Sequence, residues 1–124
     1  MLAHEFTHAL VRDLARHGVP AWLNEGLATA LESGDLAWAE RRVRKAGGPA
    51  PLGALTASFG RLSGAQAQLA YATSAIAVRT LIEDAGGFAI ANLLRDLGDD
   101  VTFETAFAHR MQRAFADFQA TLVY

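Results

Sequence analysis

Apolar residues recur along this chain at intervals of three and four, the spacing that gathers them on one face of an α-helix. Leu69, Ala72, Ile76, Arg79 and Glu83 follow one another at that spacing, and Ala75, Leu81 and Ile82 widen the apolar face. The pattern predicts a long helix over residues 64–85, opened by Ser63 as a cap and ended at Gly86-Gly87. Upstream it predicts helices over residues 2–16 and 21–32, then a third from an Asp35 cap to Arg44 or Lys45. His17-Gly18 reads as the end of the first helix, with Gly18 free to turn left-handed, and Pro20 is suited to open the second. Gly47-Gly48-Pro49-Ala50-Pro51 is the clearest loop, placed where it can border a cleft. After the long helix come shorter ones over about 88–97, 102–108 and 112–122. Ile90, Leu93, Leu94, Leu97, Phe103, Phe107, Phe115, Phe118 and Leu122 are their packing positions. No segment reads as a strand and no repeat appears, so the expected class is a mainly α, single helical domain spanning 1–124.

Composition narrows the class of protein. A chain of 124 residues with 52% hydrophobic content suffices for one core. A formal net charge of −2 offers no electrostatic footprint for nucleic acid or an anionic membrane. The longest apolar stretch, 65–82, is interrupted by Gln66, Gln68 and Arg79, and so reads as a core helix rather than a membrane span. Without cysteine there are no disulfides, and any metal site must use His, Asp or Glu. The compartment stays open between cytoplasmic and extracytoplasmic, and the oligomeric state is not readable. Arg41, Arg42, Arg44 and Lys45 cluster in the third helix, either as a solvated face complementing the helix C-terminus or as a patch for an acidic partner.

The chemistry is concentrated in His4-Glu5-Phe6-Thr7-His8. Residues four apart on a helix stack on one face, so two imidazoles at this spacing can reach one metal ion. The carboxylate between them can then take a proton from a water on that ion, the arrangement of a zinc hydrolase. A catalytic zinc normally has three protein ligands. Glu25, in the first turns of the second helix, supplies the third if the two helices pack face to face. Taken alone it would read as a solvated residue favoured by the helix dipole. Histidine ligands need acceptors that fix their tautomers; Glu32 is the candidate, with Asn24 and Thr29 weaker ones. His17 and His109 lack partner spacing and read as surface residues.

His4-Glu5-Phe6-Thr7-His8 followed by Trp22-Leu23-Asn24-Glu25-Gly26-Leu27-Ala28 resembles the gluzincin metallopeptidases, particularly the bacterial peptidase MA-like group and the Trp-Leu-Asn-Glu-Gly run of the M1 aminopeptidase clan. The resemblance implies one zinc ion held by His4, His8 and Glu25, with Glu5 as general base and proton shuttle. Tyr71-Ala72-Thr73-Ser74 looks like the family's Tyr-Ala-x-Ser segment, in which the tyrosine is the oxyanion donor. A tyrosine at that point of a long apolar helix can equally pack its ring and bond its hydroxyl to backbone. The last forty or so residues match the family only in helical pattern. The family's catalytic helices normally follow a small β-sheet whose edge holds the substrate. With Met1 three residues before the first ligand, the chain is expected to be the helical half of a gluzincin domain, N-terminally incomplete and lacking that sheet.

Two functions follow as expectations. The first is a zinc-dependent metallopeptidase acting on a peptide or protein substrate. The second is a non-catalytic, zinc-stabilised helical module or an inactive fragment of a larger peptidase. Glu5 favours the first, because a structural site has no use for a carboxylate there, whereas the missing sheet argues for the second. The family's Gly-x-Met-Glu-Asn exopeptidase signature is missing, which tilts specificity away from aminopeptidase action.

Overall fold

The computed structural model describes the backbone of residues 3–122 and the side chains from Glu5 to Leu122. Among the described residues the chain forms seven α-helices and no strand: α1 (Ala3–Leu14), α2 (Ala21–Glu32), α3 (Ala37–Lys45), α4 (Gly64–Ala85), α5 (Gly87–Gly98), α6 (Phe103–Met111) and α7 (Phe115–Ala120). The expected mainly α class is what the chain adopts. No helix of the described residues is long and apolar enough to cross a membrane.

The helix ends show which local signals decide. The first helix stops at Leu14, two residues before the expected end, and Gly18 takes the left-handed φ of +82° that lets the chain turn back. Pro20 precedes α2 as an extended residue rather than forming its first turn. The exposed N–H groups of that turn are satisfied from a distance: Ala21 N–H donates to Thr56 O at 3.0 Å and Trp22 N–H to Leu55 O at 2.9 Å. The loop that supplies these carbonyls is pinned by buried Leu52, Leu55 and Phe59, and by Ala50 N–H donating to Thr73 Oγ1 of α4 at 3.1 Å. Asp35 does receive a helix N–H, that of Ala37 at 2.9 Å, although regular α3 begins two residues later. At the start of α4, Gln66 Oε1 accepts from the backbone N–H and the hydroxyl of Ser63, at 3.2 and 3.0 Å. The last two helices differ most from expectation. Gln112 adopts a left-handed φ of +58°, which ends α6 at Met111 and delays α7 to Phe115.

Helix α4 is the axis of the molecule. One side meets α3 through Leu36, Ala39, Val43, Ala72, Ala75 and Ile76. The other faces a larger core formed with α1, α2, α5, α6 and α7. Two fully buried Phe side chains, Phe107 and Phe118, join Phe103, Phe115 and Trp22 in one aromatic cluster. Trp22 stacks on Phe115 at 5.7 Å and 17°, and meets Phe103 edge-on at 6.0 Å. Burying each such ring contributes about 1.5–3 kcal/mol. The aromatic cluster has a positional consequence. The C-terminal helices hold Trp22, and so fix the start of α2 one turn before Glu25.

The crossing of α2 and α4 is close because Gly26 has no side chain. A Cβ built there would collide with the Ser74 carbonyl oxygen and lie 2.6 Å from Val78 Cγ2. Ser74 is fully buried but satisfied, its hydroxyl donating to Ala70 O at 2.7 Å. Glu25 sits beside this contact point, and Tyr71 one turn before Ser74 on α4. The crossing therefore carries the site.

Candidate metal centre

Helix α1 presents Glu5, His8 and Arg12, and α2 presents Asn24 and Glu25, around a cavity of about 320 Å³. The periodicity explains the α1 set. Positions 5, 8 and 12 are spaced by three and four, hence on one face. Position 4 lies one helical turn before His8, but the side chain of His4 is outside the described residues.

The His8 imidazole spans two successive residues of α2. Its Nδ1 lies 2.8 Å from Asn24 Oδ1, and its Nε2 lies 3.1 Å from Glu25 Oε1. Both side chains of the second pair are about three-quarters buried, with 23% and 24% exposure. With Nδ1–H donating to the amide oxygen, the neutral ring turns a lone pair on Nε2 towards a carboxylate oxygen. Two such atoms at this distance need a proton or a metal ion to hold them together. Metal bonds of about 2.0–2.2 Å in a tetrahedral shell put two donor atoms about 3.4 Å apart, close to the observed separation. The pair therefore fits zinc in donor type, in spacing and in the anchoring of the ring. Among the described residues no group of three His, Asp or Glu forms a complete ligand set.

For His8 the orienting acceptor is Asn24, which the sequence ranked below Glu32. Both lie on α2, but the imidazole crosses the helix at its first turns, whereas Glu32 is exposed at the last residue of α2. Replacing Asn24 with Ala is expected to weaken zinc binding by about 10- to 100-fold, since an unanchored imidazole samples other orientations and tautomers. Competition titration against a chromophoric chelator measures this, and an unchanged affinity would show that Asn24 does not orient the ring.

Glu5 is exposed in the first turn of α1 and lines the same cavity without belonging to the close His8–Glu25 pair. That placement leaves its carboxylate open to water. Arg12, one turn beyond His8, also lines the cavity. It was legible as the next residue on the His4–His8 face, but a lone arginine four residues after the motif carries no chemical signature.

Tyr71 packs as one of the two readings left open by the sequence expected. Its ring packs edge-on against Phe59 at 5.2 Å and 83°. Its phenol is raised above the ordinary tyrosine pKa, first by burial and then by the negative charge of Glu25. The residue thus stands within electrostatic reach of the His8–Glu25 pair and stays a protonated donor through neutral pH. His17 and His109 are exposed, His17 facing Asp100 at 3.3 Å.

No protein-family model, curated protein or solved structure matches this chain. A functional reading therefore rests on the residues and their geometry.

Proposed function

We propose that this chain is a zinc-dependent metallopeptidase of gluzincin type, with His4, His8 and Glu25 holding one zinc ion and Glu5 acting as the general base. The observation that carries the reading is the 3.1 Å approach of His8 Nε2 to Glu25 Oε1, with Nδ1 anchored by Asn24, in a cavity that Glu5 also lines. An isolated ion pair would account for the approach, but not for a second carboxylate left open to water beside it.

Zinc, when bound, supplies a Lewis acid for the scissile carbonyl and brings the pKa of a nearby water towards about 7. The chain's residues supply the rest. Glu5 accepts the proton of the attacking water and returns it to the leaving amine. Asn24 keeps the His8 lone pair directed at the site. The Tyr71 phenol, kept protonated, donates a hydrogen bond to the oxyanion developing on the peptide carbonyl.

Protein purified without chelator is expected to carry close to one zinc per chain, and Glu25→Ala or His8→Ala to carry little. Metal analysis by mass spectrometry reads the outcome, and full zinc content in either variant would remove that residue from the ligand set. Tyr71→Phe is expected to lower kcat about a hundredfold with little change in KM, because an oxyanion donor acts in the transition state. An unchanged kcat would return Tyr71 to a packing role.

A further inference from the structure

The geometry points to a second site in the molecule: the groove between α3 and α4 is an anion-binding subsite that selects an acidic side chain on the peptide bound at the metal centre. The inference rests on the metallopeptidase reading for its substrate, though its charge preference is measurable without zinc. The groove holds about 510 Å³, larger than the cavity at His8 and Glu25, and is lined by Trp38, Arg41, Arg42, Lys45, Gln68 and Tyr71. Its volume is within the range of ligand pockets.

Helical spacing assembles its walls. Trp38 is three and four residues before Arg41 and Arg42, and Arg41 is four before Lys45, so α3 presents one aromatic and three cations to the same space. From α4 come Gln68 and Tyr71, three apart. Among the described residues no carboxylate lines the groove. The acidic residue of α3, Glu40, is engaged elsewhere, accepting from Arg79 Nη2 at 2.8 Å. Among the described residues Arg41, Arg42, Arg44 and Lys45 have no carboxylate within ion-pair distance. Helix-dipole complementarity accounts for cations in the last turn of α3, but not for their facing a shared hollow.

Tyr71 joins the two sites. It lines the groove, and it stands one turn before Ser74, whose carbonyl oxygen meets α2 at Gly26 beside Glu25. A peptide held at the metal centre and running on past Tyr71 then meets the guanidinium groups of α3. Guanidinium forks match a carboxylate in bidentate geometry, and Trp38 can cover the methylenes of a Glu side chain. The cations are confined to one helix of a chain whose net charge is −2, which suits a single acidic residue better than the extended phosphate track of a nucleic acid.

The test uses the full chain in chelator, with binding read by calorimetry, and compares a Glu-containing hexapeptide with its Gln counterpart. The acidic peptide is expected to bind about tenfold tighter in low salt, and the preference to fade as salt rises. Arg41→Gln/Arg42→Gln is expected to abolish the preference, and Arg41→Lys/Arg42→Lys to retain most of it. Equal binding of the two peptides, or a preference that survives the Gln pair, overturns the subsite. So does an oligonucleotide that outcompetes the acidic peptide. Adding zinc separates the two claims. Charge-selective binding without zinc-dependent hydrolysis sinks the peptidase reading alone, whereas equal binding of the two peptides by a chain that hydrolyses both sinks the subsite alone.

Discussion

Glu5→Gln is expected to lower peptide hydrolysis by about 10²- to 10⁴-fold while zinc content and folding stay as in the parent chain. The amide matches the carboxylate in size and reach but cannot accept the proton of the attacking water. Because Glu5 is exposed on α1 and makes no part of the His8–Glu25 pair, its replacement leaves the anchoring by Asn24 untouched. Its one structural contribution is a negative charge in the first turn of α1, a few tenths of a kcal/mol to about 1 kcal/mol of dipole interaction. Zinc content and thermal melting, recorded on the same preparation as the kinetics, divide the possibilities. Lost hydrolysis with retained zinc assigns the base role. Undiminished hydrolysis would remove Glu5 from the mechanism. Lost zinc would make Glu5 a ligand instead. A parent chain that binds zinc and hydrolyses nothing would leave the non-catalytic helical module as the better reading.

What the sequence made legible followed from local rules. The bounds of α2 and α4 agree with the pattern because each begins at a strong start signal, Pro20 or Ser63, and each carries its apolar residues at regular spacing. Ile90, Leu93, Leu94, Leu97, Phe107, Phe118 and Leu122 are buried as their periodicity predicted. The approach of Glu25 to His8 was legible only as a condition, because it needed α1 and α2 to pack face to face. What escaped the sequence depends on how helices cross or on unusual backbone. Nothing in a linear reading says which turn of α2 the His8 imidazole will meet, since that depends on where the two helices cross. Nor does glutamine announce a left-handed residue, so the break at Gln112 was invisible. The α3–α4 groove was half legible. Its cations stood out at once, but that they face a hollow shared with Tyr71 is a fact of packing.

Gly26→Ala is expected to cost about 2–3 kcal/mol and to lower the melting temperature by about 10 °C, a large loss for adding one methyl group. In an open helix the same change would stabilise by up to about 1 kcal/mol through backbone entropy. At Gly26 that gain is outweighed, because the new Cβ meets backbone of α4 rather than the end of a flexible side chain: it overlaps the Ser74 carbonyl oxygen and stands 2.8 Å from its carbon. Relief requires α2 to lift away from α4. Such a movement also carries Glu25, the neighbouring residue, away from the Tyr71 turn and alters its approach to His8. Zinc affinity and the charge coupling between Glu25 and Tyr71 should therefore fall together with stability. Gly64→Ala is the matched control, since a Cβ there meets nothing within 4 Å. It should leave melting and zinc binding unchanged or slightly improved. A Gly26→Ala chain that melts and binds zinc like the parent would mean that the two helices can part without disturbing the site, and would detach the metal centre from the crossing that is held here to position it.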